Sequence, residues 1–375
     1  MCALRQKLGT SFSTFALALL LSTALSQAAT EAEQLAEILR RYPAADANRD
    51  GVLTREEAVA YAQGRRQSRS PRPAGKADRP EPTFAAVSYG PHPAQILDLW
   101  SARSDAPAPL VVFFHGGGFR TGSRDSVESS LIRNCLARGV AVMSVDYRFL
   151  TEAPIQEILR DCARSIQFVR HHAATYRIDP MRIACYGSSA GAGASLWIAF
   201  HPDLADPAQF DPVLRESSRI VAVAASNTQA TYNLKEWDSV VGPNDPAWSG
   251  GNPDRETAAF YHVAQIEDLD TADGKRLLAD LSMLQLASPD DPPVWLVNQH
   301  PDGTVSNRSH YLHHPDHSRA IERRCREVGI PVTTFFGQAE PRATGNAGEL
   351  LRAFLFHHLH VPVTDGIQTP VDTAP

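Results

Sequence analysis

The stretch that most constrains this chain is Gly187-Ser188-Ser189-Ala190-Gly191, which reads G-x-S-x-G. The short apolar run 182–186 before it predicts a buried strand, and the small-residue run 192–198 after it predicts a helix. A strand that turns sharply into a helix leaves room only for small residues beside the central serine. The hydroxyl of Ser189 would then be exposed at the end of the sheet, beside the free N–H groups of the helix N-terminus. The pattern predicts a nucleophile elbow.

A second glycine-rich stretch, His115-Gly116-Gly117-Gly118-Phe119, follows the continuous apolar run 110–114. Such a run is typical of a strand that is buried on both faces. Glycines at its end let backbone N–H groups approach a ligand closely. An H-G-G-G loop of this kind builds an oxyanion hole together with the residue after the nucleophile in many lipases and esterases. The alternative is a plain glycine-rich turn. We expect His115 to be a structural part of the loop and not a catalytic base.

Strands and helices alternate along the rest of this part of the chain. Further strands are predicted at 84–89, 95–100, 140–145, 220–225, 292–298 and 331–336, and helices at 127–138, 155–176 and 316–329. This alternation indicates a mostly parallel sheet with right-handed crossovers. With 375 residues and a net charge of -6, the chain is long enough for one large α/β domain, and its mild acidity argues against nucleic-acid binding.

Residues 84–360 resemble the α/β-hydrolase superfamily, and within it the bacterial carboxylesterases of the hormone-sensitive-lipase-like and feruloyl-esterase-like group. The stretches that carry the resemblance are YGPHPAQILDLW, HGGGF, VDYR, RIDPMRIACYGSSAGA and DDPPVWLV. The resemblance implies an α/β-hydrolase fold with an eight-stranded, mostly parallel sheet, and the hydrolysis of a carboxylic ester. It places Ser189 on the nucleophile and Gly117, Gly118 and Ala190 on the oxyanion donors.

The resemblance also implies where the acid and the base of a catalytic triad belong. The acid is expected in the loop after strand 292–298, where Asp302 lies, and it would hold the base in the correct tautomer. The histidine is expected after the last core strand, but residues 337–346 contain none and Glu340 lies near its place. Glutamate has an ordinary pKa of about 4.3, which makes it a poor base unless burial raises that pKa.

Three alternatives therefore stay open for the base. Either another histidine reaches the serine, or Glu340 substitutes with slow turnover, or the protein binds a ligand without hydrolysing it. The histidines that follow strand 292–298, near the correct end of the sheet, are His300, His310, His313 and His314.

Residues 46–57 match the pattern D-x-[DN]-x-[DN]-G-x5-E at every specified position. The predicted calcium ligands are the side chains of Asp46, Asn48, Asp50 and Glu57 and the backbone carbonyl of Val52. Oxygen ligands of this kind suit a hard calcium ion, and Gly51 allows the sharp turn. The stretch resembles an EF-hand, with a solvated acidic turn between two helices as the alternative. Because a single loop is visible, a structural role is favoured over calcium sensing.

The predicted segments are a signal peptide at 1–28, the EF-hand-like segment at 29–63, a linker at 64–83, the hydrolase domain at 84–361 and a tail at 362–375. Arg5 and Lys7 precede an apolar core that is shorter than the roughly 20 residues of a membrane span, and Ser26-Gln27-Ala28 fits a cleavage site. We expect a secreted or periplasmic protein without a membrane segment in its mature form.

The expected partner is a small ester or an esterified carbohydrate. Calcium is the expected cofactor, with none needed for catalysis, and the oligomeric state is not predicted. Cys135, Cys162, Cys185 and Cys325 show no C-x-x-C spacing, which argues against zinc and favours buried free thiols. The aromatic residues of segment 227–280 are expected either to shape a pocket or to form the core of an insertion; they include Tyr232, Trp237, Trp248 and Tyr261.

Overall fold

The computed structural model describes residues 79–249, 251–336 and 347–362, together with scattered positions between 35 and 57. These residues fall into two units, one made of the positions up to 57 with 91–93 and the other of 79–90 and the positions from 94 onward. The predicted signal peptide, most of the linker and Glu340 lie outside the described residues. Within the described ranges, none of the helices has the length and apolarity that crossing a membrane requires.

Eight strands form one mostly parallel sheet, as the resemblance implied, in the order β1-β2-β4-β3-β5-β6-β7-β8. The strands are β1 (Phe84–Ser88), β2 (Ile96–Trp100), β3 (Ala108–Phe114), β4 (Ala141–Val145), β5 (Ile178–Ser188), β6 (Ala222–Ser226), β7 (Val294–Asn298) and β8 (Val332–Phe336). β2 is antiparallel to both β1 and β4, and the remaining neighbours are parallel. The carboxyl ends of the six parallel strands that follow β2 therefore all lie at the same end of the sheet.

The helices connect the strands and pack on the sheet. They are α1 (Ser129–Ala137), α2 (Ile155–His171), α3 (Ala173–Tyr176), α4 (Ala190–Phe200), α5 (Trp237–Val241), α6 (Pro253–Tyr261), α7 (Ala272–Leu281), α8 (Met283–Leu286), α9 (Arg308–His313), α10 (Pro315–Val328) and α11 (Ala347–His358). The single helix predicted at 155–176 is divided into α2 and α3 at His172, and it ends at Arg177, which adopts a left-handed conformation with φ of 54°.

Each face of the sheet has its own apolar core. Along β3, Leu110, Val112 and Phe114 pack into one core, whereas Val111 and Phe113 pack into the other. Successive side chains of a strand point to opposite faces, so a strand covered on both sides must be apolar throughout. This explains why the run 110–114 contains no polar residue.

Helix α4 crosses the sheet directly behind the elbow, and all eleven of its residues are buried. The approach is close enough that a Cβ atom at Gly191 would lie 2.0 Å from the carbonyl oxygen of Phe114. The glycine-rich sequence after Ser189 therefore lets the helix pack against the end of β3, and this packing places the elbow beside the glycine loop.

The four cysteines of the described region are buried and free, as the sequence predicted. Burial in apolar surroundings raises the pKa of Cys135 and of Cys325 to about 12. These thiols are packing residues of the core.

Candidate active site

Ser189 lies in the sharp turn between β5 and α4, as the G-x-S-x-G pattern predicted. Its φ of 53° and ψ of -121° are unusual for a residue with a side chain. The turn is held by two backbone hydrogen bonds, from the Ser189 N–H to the Ser226 carbonyl at 2.8 Å and from the Gly193 N–H to the Ser189 carbonyl at 3.0 Å. A backbone conformation of this kind costs about 1–3 kcal/mol and is typical of functional sites.

The histidine that lies beside this serine is His313, one of the four histidines that the sequence left open. Its Nε2 atom is 2.8 Å from the Ser189 Oγ atom. Its Nδ1 atom is 2.9 Å from the Ser309 carbonyl oxygen. Because a carbonyl oxygen only accepts, Nδ1 carries the proton and Nε2 is left to accept one from the serine hydroxyl. His313 is therefore in the tautomer that a general base needs.

The surroundings of His313 keep its imidazole neutral. Burial lowers the pKa of His313 below its usual value of 6.5, the hydrogen bond to Ser309 opposes that shift, and the nearby His300 lowers the pKa further. The His300 ring is stacked on the His313 ring, with centroids 5.1 Å apart and an interplanar angle of 14°. A neutral imidazole at pH 7 is the form that can take the serine proton.

Asp302, the expected acid, is not brought to His313. Its Oδ1 atom is 2.7 Å from Nη2 of Arg319, which also binds Asp316 at 2.9 Å. Among residues 79–336 and 347–362, no carboxylate is hydrogen-bonded to the His313 ring, whose Nδ1 partner is Ser309. The structure thus differs from the expected triad, because an arginine from α10 pairs with the carboxylate on the exposed side of the loop.

Two buried polar side chains hold the segment that carries the base. Asn298, at the end of β7, donates from Nδ2 to the His313 carbonyl and accepts at Oδ1 from the His300 N–H, both at 3.0 Å. His317 accepts from the Ala230 N–H at 3.2 Å and donates from Nε2 to the Tyr311 carbonyl at 3.1 Å. Sequence reasoning missed both residues, since an asparagine ending a strand and one histidine among several carry no local signal of this role.

The glycine loop lies against the nucleophile. Gly117 has a φ of 121° and Gly118 a φ of 60°, conformations in which glycine is unstrained. A Cβ atom at Gly117 would lie 2.1 Å from the Thr121 carbonyl oxygen, so glycine is also required for space. Both glycines line one cavity with Ser189 and Ala190. The three residues expected to donate to the oxyanion thus line the same cavity as the serine.

His115 has the structural role that the sequence predicted. It is buried, and its Nδ1 atom is 2.8 Å from the Gly116 carbonyl oxygen. The Tyr147 ring stacks on it with centroids 4.2 Å apart, and the Tyr147 hydroxyl donates to the His115 carbonyl at 2.5 Å. These contacts fix the start of the glycine loop.

The cavity beside Ser189 has a volume of about 800 Å³. Of the aromatic residues of segment 227–280, Tyr232 and Trp237 line it, whereas Tyr261 lies behind the wall and donates from its hydroxyl to the Tyr232 carbonyl at 2.7 Å. The Tyr232 hydroxyl donates to the Ala190 carbonyl at 3.0 Å. The segment therefore both shapes the pocket and forms a small core, which were the two alternatives.

The candidate calcium loop has the turn that its sequence suggests. Gly51 has a φ of 82°, and its N–H donates to Oδ2 of Asp46 at 2.9 Å. The Asp50 N–H donates to Oδ1 of Asn48 at 2.9 Å, and the Glu57 carboxylate accepts from the Thr54 N–H at 3.1 Å. In the described part of the chain no three His, Cys, Asp or Glu side chains converge as a metal cluster. The oxygen-only donor set and the tight turn suit a hard cation.

Comparison with known proteins gives one family and several esterase relatives. The profile of the BD-FAE family matches residues 97–314. Esterase LipI of Mycobacterium tuberculosis is 35% identical over 110 residues, which are 29% of this chain and 34% of that protein. The chain spans well under two thirds of the length of the curated relatives it matches.

Two solved structures share the fold. A truncated carbohydrate esterase from gut microbiota superposes with a TM-score of 0.57 and 18% identity, over 75% of this chain and 99% of that one. The thermophilic esterase Est2 of the Planctomycetes species Thermogutta terrifontis gives a TM-score of 0.55 and 18% identity, over 77% and 97%. At this level of identity, the likeness supports the α/β-hydrolase architecture.

Proposed function

The chain belongs to the BD-FAE family of hormone-sensitive-lipase-like α/β-hydrolase esterases, and from this premise we propose that it hydrolyses carboxylic esters through an acyl-enzyme on Ser189. The observation that carries the proposal is the 2.8 Å contact between Ser189 Oγ and His313 Nε2. Carboxylesterase relatives and esterase-like structures support the same activity.

In the proposed reaction His313 Nε2 takes the hydroxyl proton while Ser189 Oγ forms a bond to the ester carbonyl carbon. The N–H groups of Gly117, Gly118 and Ala190 stabilise the negative charge on the carbonyl oxygen. The bond to the alcohol oxygen then breaks, and His313 returns its proton to the departing alcohol. Water, activated by the same imidazole, releases the carboxylic acid and restores the serine.

The imidazolium that forms in each step needs an acceptor at Nδ1. In a triad this acceptor is a carboxylate, whereas here it is the Ser309 carbonyl at 2.9 Å. A carbonyl dipole holds the tautomer but stabilises the cation less than a full negative charge. We therefore propose a serine–histidine dyad with a backbone carbonyl as the orienting group.

The rival hypothesis is a protein that binds its ligand without turnover. It depended on the absence of a histidine from residues 337–346. The position of His313 supplies the missing base from another part of the chain, so this ground for an inactive site no longer applies.

The test is the hydrolysis of p-nitrophenyl acetate by purified protein, together with labelling by a fluorophosphonate. We expect turnover and labelling that are both lost in Ser189→Ala, while Ser188→Ala, which removes the neighbouring hydroxyl, retains them. Folded wild-type protein that neither turns over nor becomes labelled would refute the proposal and support the binding hypothesis.

For the substrate, we propose a small ester that is free or attached to a carbohydrate. The cavity of about 800 Å³ has aromatic walls that include Trp237 and Tyr311, and such walls suit an apolar group or the flat face of a sugar. The expected result is release of acetate from an acetylated oligosaccharide by the wild-type protein but not by Ser189→Ala. Activity that is restricted to p-nitrophenyl esters would argue against a substrate in which the ester is attached to a carbohydrate.

We also propose that residues 46–57 bind calcium and that the protein is exported after removal of residues 1–28. The calcium ligands would be the side chains of Asp46, Asn48, Asp50 and Glu57 and the carbonyl of Val52. The calcium affinity measured by calorimetry should be lower in Glu57→Ala than in wild type, and an unchanged affinity would contradict the proposed calcium site.

The test of export is mass spectrometry of the protein from the culture medium or periplasm, which should find a new N-terminus near residue 29.

A further inference from the structure

A second cavity, of about 420 Å³, adjoins the catalytic cavity. The two share the side chains of Arg120, Glu256 and Arg308, and the second cavity adds Arg255 and Trp248. We call this second cavity the arginine cleft. Its shared wall means that a ligand bound there can be part of a molecule whose ester group lies at Ser189.

The two cavities differ in their balance of charge. The charged side chains that line the catalytic cavity beside His313 are Arg120, Lys235 and Arg308 and, opposite in sign, Asp238, Asp254 and Glu256. The arginine cleft is lined by Arg120, Arg255 and Arg308 with Glu256 as the only acidic residue. Three positive charges and one negative charge leave the cleft with a net positive charge, whereas the catalytic cavity is balanced.

Glu256 is already engaged by the two shared arginines. Arg308 Nη1 lies 2.9 Å from Glu256 Oε2 and also donates to the Trp248 carbonyl at 2.7 Å. Arg120 Nη2 is 3.9 Å from Glu256 Oε1. One carboxylate cannot neutralise three guanidinium groups. Within residues 79–249 and 251–336, the exposed Arg255 side chain has no hydrogen bond or ion pair.

Arg120 connects the arginine cleft to the chemistry. It follows the glycine loop directly, and its N–H donates to the Gly117 carbonyl at 3.0 Å. Its side chain is 48% exposed and faces both cavities. A group bound by this guanidinium therefore lies at the wall that the arginine cleft shares with the catalytic cavity.

We propose that the arginine cleft binds an anionic group of the substrate, so that the enzyme prefers esters that carry a carboxylate away from the reacting carbonyl. Guanidinium groups form charge-assisted and bidentate hydrogen bonds with a carboxylate. The half-buried Trp248 offers an apolar surface beside them for the body of the same substrate. This inference rests on the proposed esterase function and names the class of substrate.

Two matched pairs of esters test the preference, one for each side of the ester bond. Mono-p-nitrophenyl adipate is compared with p-nitrophenyl hexanoate, and O-acetyl glucuronic acid with O-acetyl glucose. For each pair, the preference is the kcat/KM of the anionic ester divided by the kcat/KM of the neutral ester. In at least one pair we expect this ratio to fall about tenfold in Arg255→Gln and in Arg120→Gln. Arg103→Gln, which removes an exposed arginine outside both cavities, should leave the ratio unchanged. Added salt should reduce the wild-type preference.

Calorimetry on Ser189→Ala separates this inference from the proposed function, because it does not need turnover. Glucuronate should bind more tightly than glucose, and Arg255→Gln should remove the difference. If the protein hydrolyses the neutral esters and Arg255→Gln leaves the anionic-to-neutral ratio of kcat/KM unchanged, anion binding by the arginine cleft is refuted and the esterase function is not. Loss of all ester hydrolysis in wild-type protein that still prefers glucuronate would overturn the esterase and keep the anion site.

Discussion

At the scale of single residues, the site depends on which atom of His313 carries the proton. The Ser309 carbonyl binds Nδ1–H and the Ser189 hydroxyl faces Nε2. Because Ser309 lies four residues before His313 in α9, the orienting acceptor comes from the same helix as the base. In the proposed dyad this local contact takes the place of a separate acidic residue.

This arrangement predicts unequal effects for the two residues of the expected acid–base pair. His313→Ala should lower kcat/KM by at least about a thousandfold, since the proton acceptor is lost. Asp302→Asn should change kcat/KM by less than about threefold, since Asp302 pairs with Arg319 in a partly exposed ion pair. Steady-state kinetics with p-nitrophenyl acetate measure both, and circular dichroism shows whether each variant is folded. An equal loss in both variants would restore Asp302 as the acid.

The acidic limb of the pH profile is a second prediction at this scale. Since burial and the neighbouring His300 lower the pKa of His313, the base stays unprotonated to below pH 6.5. The value of kcat/KM should be constant at neutral pH and fall as the pH drops through that lowered pKa. Replacement of His300 by Gln removes its charge and should move the acidic limb to higher pH. If kcat/KM of the variant falls at the same pH as that of the wild type, His300 does not influence the pKa of His313.

At the scale of elements, the junction between β7 and α9 places the base. The chain leaves β7 at Asn298, and α9 ends at His313, fifteen residues later. The fully buried Asn298 amide is bonded to the backbone at both His300 and His313. This side chain therefore links the backbone of both stacked histidines to the end of β7.

Removal of this amide should impair catalysis more than substrate binding. We expect Asn298→Ala to lower kcat by about 10–100-fold with a smaller change in KM, because small displacements of a catalytic group are costly. The free energy of unfolding should fall by about 1–3 kcal/mol, since buried polar partners are left unpaired. Asn298→Asp keeps the acceptor for the His300 N–H but loses the donor to the His313 carbonyl. An Asn298→Ala variant that is destabilised but has an unchanged kcat would exclude the positioning role.

Helix α10 supports α9 through His317, and this contact depends on pH. Burial lowers the pKa of His317 to about 3, whereas an unfolded histidine has a pKa of about 6.5. The unfolded chain therefore binds a proton that the folded protein excludes, so stability present above about pH 6.5 is lost as the pH falls toward 3. Urea unfolding at pH 7 and pH 4.5 should show a weaker pH dependence in His317→Asn than in wild type. The variant should also be less stable at pH 7, by about 1–3 kcal/mol. If the free energy of unfolding depends on pH equally in His317→Asn and wild type, His317 is not the group that causes the loss of stability at low pH.

At the scale of the whole molecule, the two apolar cores on the faces of the sheet are where the thiols are buried. Cys162 and Cys185 lie in one core with Cys325, and Cys135 lies in the other. A reagent reaches these sulfur atoms only when the packing on the corresponding face opens. Thiol reactivity thus reports on the integrity of both cores.

We expect no reaction of these four cysteines with a thiol reagent in the native protein at pH 8. Burial raises their pKa values and excludes the reagent. In urea, labelling should follow the loss of the far-UV signal, and mass spectrometry of peptides should find all four positions modified together. Labelling of Cys135 before the others would show that the two faces unfold separately.

What the sequence by itself determined is local. The elbow at Ser189 follows from small residues between a strand and a helix, and the two-faced core follows from continuous apolar runs such as 110–114. Each pattern occupies a few neighbouring residues whose periodicity is dictated by one element of secondary structure. The mostly parallel arrangement of the strands follows from the same patterns together with the rules for connections. The burial of the cysteines as free thiols was expected from their spacing.

The tertiary structure alone decided which histidine is the base and which partner Asp302 takes. Four histidines follow β7 within sixteen residues, and all were expected near the correct end of the sheet. The one that reaches Ser189 depends on the Asn298 contacts and on the face that the short helix α9 presents. Asp302 is paired by Arg319, which belongs to a later helix. Both outcomes depend on distances between residues that are remote in sequence, and no local pattern encodes those distances.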